Sequence, residues 1–74
     1  MTEDRFLALF AEAIGADSST LTLDTPLQGM EMWDSVAYLA VMAMVDEQME
    51  VALPPDSLVS SKTPREILEK ARQG

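Results

Sequence analysis

Ser35, in the run Trp33-Asp34-Ser35-Val36, is the residue of this chain best placed to take part in a covalent step. An acidic residue precedes it, an aliphatic residue follows it, and the apolar run Val36 to Val45 starts directly after it. A serine at a helix start exposes its hydroxyl beside backbone N–H groups that lack an intrahelical partner. Those groups and the helix dipole favour a phosphate ester at that place. The ordinary alternative is a plain N-cap or first-turn serine, because serines are common there. Ser18, Ser19, Ser57, Ser60 and Ser61 have no comparable context and read as loop or cap residues.

Little other chemistry is available. The chain has no His and no Cys, so the commonest general base and the commonest soft nucleophile are both missing. Disulfides and thiolate metal sites are excluded with them. Carboxylates could still act in a pair, but 74 residues leave little room for a pocket that excludes water. The chain is therefore expected not to be an enzyme.

Acidic residues outnumber basic ones 13 to 5, for a net charge of −8. Residues 1–60 hold eleven acids against Arg5 alone, while residues 61–74 carry a net charge of +2. This balance lacks the basic footprint of nucleic-acid binders. It suits either attraction to basic protein surfaces or simple solubility. The acidic start Met1-Thr2-Glu3-Asp4-Arg5 is followed by no signal-peptide core. The most apolar stretch, Val36 to Val45, is about half a membrane span and reads as a buried helix. The expectation is a soluble, cytoplasmic, monomeric protein with no membrane or nucleic-acid partner. Residues 1–74 form one domain, and the initiating Met1 favours a freestanding protein.

The elements that must position Ser35 are all helical. A first helix is expected from about Glu3 to Ile14, capped by Thr2 and ended by Gly15. Its stripe is Phe6, Leu9, Phe10, Ala13 and Ile14. The connection Ala16 to Trp33 is rich in turn residues but also holds Leu21, Leu23, Leu27, Met30, Met32 and Trp33. It reads as an ordered loop draped over the helices. The alternation Leu21-Thr22-Leu23 has no partner strand, so no sheet is expected. The second helix starts at Asp34 or Ser35 and runs to about Met49. It is apolar nearly all round, so it is either central or meets a partner on an exposed face. Pro55 to Val59 suits one short helical turn. The last helix has Thr63 as N-cap, Pro64 at its first position and a capping box with Glu66; Ile67, Leu68 and Ala71 are its inner face. The fold class is all-α: a small bundle of three main helices plus one short helix, with a long structured loop between helices one and two.

Asp34-Ser35-Val36 resembles the signature of the acyl carrier protein family, which includes acyl, peptidyl and aminoacyl carriers. Leu23-Asp24-Thr25-Pro26-Leu27 resembles the family's loop ahead of the serine. Asp46-Glu47, Met49, Val51 and Leu53-Pro54 resemble its acidic helix end and the apolar-Pro step. Lys62-Thr63-Pro64-Arg65-Glu66-Ile67 resembles its last helix start. The match covers about residues 4 to 72 without insertion. The resemblance implies that Ser35 carries 4′-phosphopantetheine, that Asp34 is the acidic neighbour used by the attaching transferase, and that Val36 is an aliphatic contact beside the arm. It implies as partners a phosphopantetheinyl transferase, an acyl- or aminoacyl-loading ligase, and a downstream transferase or synthase. The alternative is an acidic interaction module with no prosthetic group.

Two features depart from the family pattern. Ala37 and Ala40 stand where polar or acidic residues are frequent, and acidity is kept at Asp46, Glu47 and Glu50. Ala37, Ala40, Ala43 and Met44 lie at helical steps. They are read either as an apolar partner contact, together with Asp46 and Glu47, or as a face covered by the first loop. Trp33 resembles carriers of specialised pathways rather than of fatty acid synthesis, and can equally anchor the loop in the core.

Overall fold

A computed structural model describes residues 1–73. The order is α1 (Glu3–Ile14), a 3-10 turn (Ser18–Thr20), α2 (Ser35–Met49), α3 (Pro55–Val59) and α4 (Pro64–Gln73), with no strand among the described residues. The long helices end where local chemistry ends them. Thr2 Oγ1 accepts from the Arg5 N–H at 3.2 Å, with Glu3 and Asp4 in the first turn of α1. Both features satisfy the positive end of a helix. Gly15 leaves α1 at φ 75°, and its N–H returns to the carbonyls of Ala11 and Glu12. That left-handed cap is the conformation in which glycine pays no Cβ penalty. At the start of α4, Thr63 Oγ1 accepts from the Glu66 N–H at 3.4 Å. The Glu66 carboxylate reaches past Thr63 to the Lys62 N–H at 3.2 Å, one residue beyond the expected capping box.

The core is shared by all the helices and by the long loop. Phe6, Phe10 and Ala11 enter it from α1, Val41 and Val45 from α2, Leu58 from α3, and Ile67, Leu68 and Ala71 from α4. Leu21, Leu23, Leu27 and Trp33 enter from the loop, so the connection is as much core as cover. Met32 departs from expectation: it stays exposed, because Trp33 beside it occupies the inward position.

The loop is fastened at its middle to the start of α4. The Leu27 N–H donates to the Lys62 carbonyl at 2.8 Å, and the Arg65 N–H donates to the Leu23 carbonyl at 3.0 Å. Between these bonds the Arg65 guanidinium meets Asp24, with Nε 3.0 Å from Oδ1 and a second contact to Oδ2 at 3.4 Å. Glu3 Oε2 lies 3.7 Å from the same guanidinium. The hydrogen bonds and charge of Arg65 hold the Asp24 carboxyl below its ordinary 3.8. A carboxyl depressed in the folded state adds stability above the unfolded pKa, and that stability is lost as pH falls through the folded pKa. Asp24→Asn is therefore expected to be less stable than the parent near neutrality. Chemical denaturation at a series of pH values should show the gap closing as pH falls below about 3.8.

Lys70 also faces inward rather than serving the end of its own helix. Its Nζ donates to the Ser57 carbonyl at 2.8 Å, Ser61 Oγ at 2.9 Å and Ser60 Oγ at 3.1 Å. Ser61 is fully buried and its hydroxyl also donates to the Ser57 carbonyl. The cation thus satisfies the C-terminal end of α3 and the serines after it.

Candidate functional site

Asp34 caps α2. It is in extended backbone, and its Oδ1 accepts from the Ala37 N–H at 3.0 Å. Its carbonyl accepts from the Tyr38 N–H at 3.0 Å, the first bond of the helix. Ser35 is the first residue of α2 and lies exposed. The N–H groups of Ser35 and Val36 make no hydrogen bond within the described residues. A hydroxyl and two free donors therefore sit together at the positive end of a helix of 15 residues. This is the environment that favours a phosphodiester on Ser35 Oγ, so the residues fit the group that the sequence implies. Replacing Asp34 by Ala should cost about 0.5–2 kcal/mol by loss of the cap. Urea unfolding should show it, with fraying confined by amide exchange to the first turn of α2.

Trp33 sets the direction from which the chain enters this turn. Its ring is buried against Phe10 of α1 at a centroid distance of 5.7 Å, and meets Tyr38 of α2 edge-on at 4.8 Å and 78°. A further aromatic step joins Phe10 to Phe6 at 6.0 Å. The residue before the cap is thus clamped between the first and second helices. The core-anchoring role expected of Trp33 is the one its burial supports.

The three residues expected at the arm, Asp34, Ser35 and Val36, come together on the surface, with Val36 72% exposed. The expected recognition set does not. Ala37 and Met44 are buried, 4% and 8% exposed, inside the core cluster. They pack in the core where an exposed contact face was expected, and Ala40 is only partly exposed. The reason is phase. A helix apolar on every side gives no sign of which stripe faces in. The stripe Ala37, Val41, Met44 and Val45 faces in, so Val36, Leu39 and Ala43, spaced by three and four, face out. Leu39, which sequence reasoning did not single out, is 64% exposed. The signal available was its position three residues after Val36.

Asp46 and Glu47 are both exposed, but they flank the outer ridge on opposite sides. Asp46 borders a groove of about 300 Å³ with Leu39, Met42, Ala43, Ala52 and Leu53. Glu47 borders a second groove, between α1 and α2. No cluster of three potential metal-ligating side chains occurs among the described residues, and no helix there is long and apolar enough to cross a membrane.

The family model described as a phosphopantetheine attachment site matches residues 4–70. A comparison with curated proteins finds no match.

Proposed function

We propose a carrier function from one premise: the chain belongs to the phosphopantetheine attachment-site family, whose model spans residues 4–70. Its cofactor is 4′-phosphopantetheine, and domains of this kind are typically non-catalytic. In our reading the arm is attached to Ser35 Oγ and holds an acyl or aminoacyl group as a thioester, which the protein carries between enzymes of a biosynthetic pathway. The observation that carries this reading is the exposed Ser35 hydroxyl beside two unpaired N–H groups at the start of α2.

The division of labour follows from the residues. The arm supplies the terminal thiol that a chain without Cys lacks. The chain supplies position. On attachment, Ser35 Oγ forms a bond to the phosphorus of coenzyme A nearer the pantetheine, and the anhydride P–O bond breaks to release adenosine 3′,5′-bisphosphate. The serine proton leaves to a base of the transferase. The Ser35 and Val36 N–H groups then face the new phosphodiester. Asp34 fixes the helix start and offers its second carboxylate oxygen to the transferase. Val36 and Leu39 give partner enzymes an apolar foothold beside the arm, with Asp46 on one flank. Loading ligase, transferase and acceptor enzyme would meet this same end of α2 in turn, in the cytoplasm.

Incubation with coenzyme A, Mg²⁺ and a broad-specificity phosphopantetheinyl transferase tests the assignment. Intact-mass spectrometry should show one phosphopantetheine adduct on the parent and none on Ser35→Ala. An adduct surviving in Ser35→Ala would move the site elsewhere. No adduct on a folded parent would favour the module without a prosthetic group.

A further inference from the structure

Tyr38 is the chain's one tyrosine, and the carrier chemistry described above gives it no part. It stands three residues after Ser35 on α2. That spacing makes the two side chains neighbours on the helix surface, with Cβ atoms about 5–6 Å apart. Long side chains in a helix lean towards its N-terminus and cover the turn before their own Cα. For Tyr38 that turn begins at Asp34 and Ser35. The position of the ring agrees, since it meets Trp33, the residue before the cap, at a centroid distance of 4.8 Å and 78°. The phenol is therefore held at the start of α2 rather than along its shaft.

The two ends of this side chain differ in their surroundings. The ring is partly buried and packs on the core cluster. The hydroxyl makes no hydrogen bond to the chain among the described residues, although a tyrosine hydroxyl at the edge of an apolar core usually finds a partner. The Ser35 and Val36 N–H groups lack partners in the same way. Three donors from one helical turn are thus left over at the end of α2 that bears Ser35. A phosphodiester carries acceptor oxygens only, and a hydrogen bond from a hydroxyl to an ionised oxygen is among the stronger kinds. Backbone donors alone would hold such a group from one side. A third donor on a rigid ring also limits the directions in which an attached chain can leave.

We propose that Tyr38 is a contact residue for the arm, and that its hydroxyl donates to a phosphate oxygen of the phosphodiester on Ser35. Together with the Ser35 and Val36 N–H groups it fixes the root of the arm, and Trp33 acts through Tyr38 by holding the phenol ring in place. The inference rests on attachment at Ser35 and adds to that reading the residue that sets the arm's direction.

Phosphorus and tyrosine NMR spectra of the full chain test it, before and after loading from coenzyme A by a broad-specificity phosphopantetheinyl transferase. Intact mass first establishes the adduct. On loading, the Tyr38 ring signals should shift; in a chain with one tyrosine they identify themselves. Tyr38→Phe keeps a ring against Trp33 and removes only the hydroxyl. In the loaded variant the phosphorus resonance should narrow and move towards that of free phosphopantetheine. The thermal midpoint and the Trp33 indole signal should stay at the parent values. A loaded variant with the parent's phosphorus shift and linewidth would overturn the inference and leave the carrier reading intact. So would Tyr38 ring signals that are the same before and after loading. A Trp33 indole signal that moves along with the phosphorus signal would trace the effect to a repacked ring and also overturn it. Absence of an adduct on the folded parent would remove the carrier reading and this inference together.

Discussion

Trp33→Ala should destabilise the fold by about 3–5 kcal/mol, the usual cost of removing a buried large aromatic side chain. A domain of 74 residues has a total stability of about 4–11 kcal/mol at ordinary per-residue values, so much of the margin would go. The substitution removes the ring that joins Phe10 to Tyr38 and frees the residue before the Asp34 cap. Two readouts follow. The thermal midpoint should fall well below that of the parent. At a temperature where the variant is still folded, transferase loading should slow, because the first turn of α2 is no longer presented in one orientation. Trp33→Phe separates ring from donor. The indole Nε1 is buried without a partner, and an unsatisfied buried donor is costly. The phenylalanine variant should therefore lose far less stability than the alanine variant and load at close to the parent rate. Equal damage from both would show that the indole itself, rather than its aromatic packing, holds the site.

Leu27→Ala is the second large effect, at about 2–5 kcal/mol, although the residue lies in a connection between helices. Leu27 is fully buried, and its N–H makes the 2.8 Å bond to Lys62. Met32→Ala, five residues further along the same loop, should change stability by no more than about 0.5 kcal/mol because Met32 is exposed. Urea unfolding of the pair would check both. Two small changes would mean that the loop is a separable cover and not part of the core.

This contrast shows what the sequence could tell. The helix starts were legible because Thr2, Asp34 and Thr63 are side chains that cap, and Pro64 can only begin a helix. The end of α1 was legible from Gly15. The end of α2 carries no such residue: Glu50 takes the left-handed conformation at φ 57°, where a glycine would be the expected choice. That the long loop had to be ordered followed from its apolar content, but which of its residues turned inward did not. The three-dimensional fastening to Lys62 and Arg65 joins positions some forty residues apart, and no local pattern encodes such a contact. At the site, Asp34, Ser35 and Val36 were legible because cap and helix start are local. Which residues of α2 face outward was not legible, because α2 is apolar on all sides and only packing against α1 and the loop sets its rotation. Lys70 stands in the last turn of α4, where a cation can serve that helix end, yet it reaches α3 and its serines, which lie within reach only once the chain has folded back.

The seam between the loop and α4 has a consequence for how such a sequence can drift. Its two bonds run from the Leu27 N–H to the Lys62 carbonyl and from the Arg65 N–H to the Leu23 carbonyl. They are made entirely by main chain, so the side chains at 62 and 65 are free to vary as far as the bonds are concerned, and positions 23 and 27 need only remain apolar. The one residue that removes a donor outright is proline, at 27 or at 65. Sequences of this domain can thus change the side chains at both ends of these two bonds and still keep the loop fastened to α4.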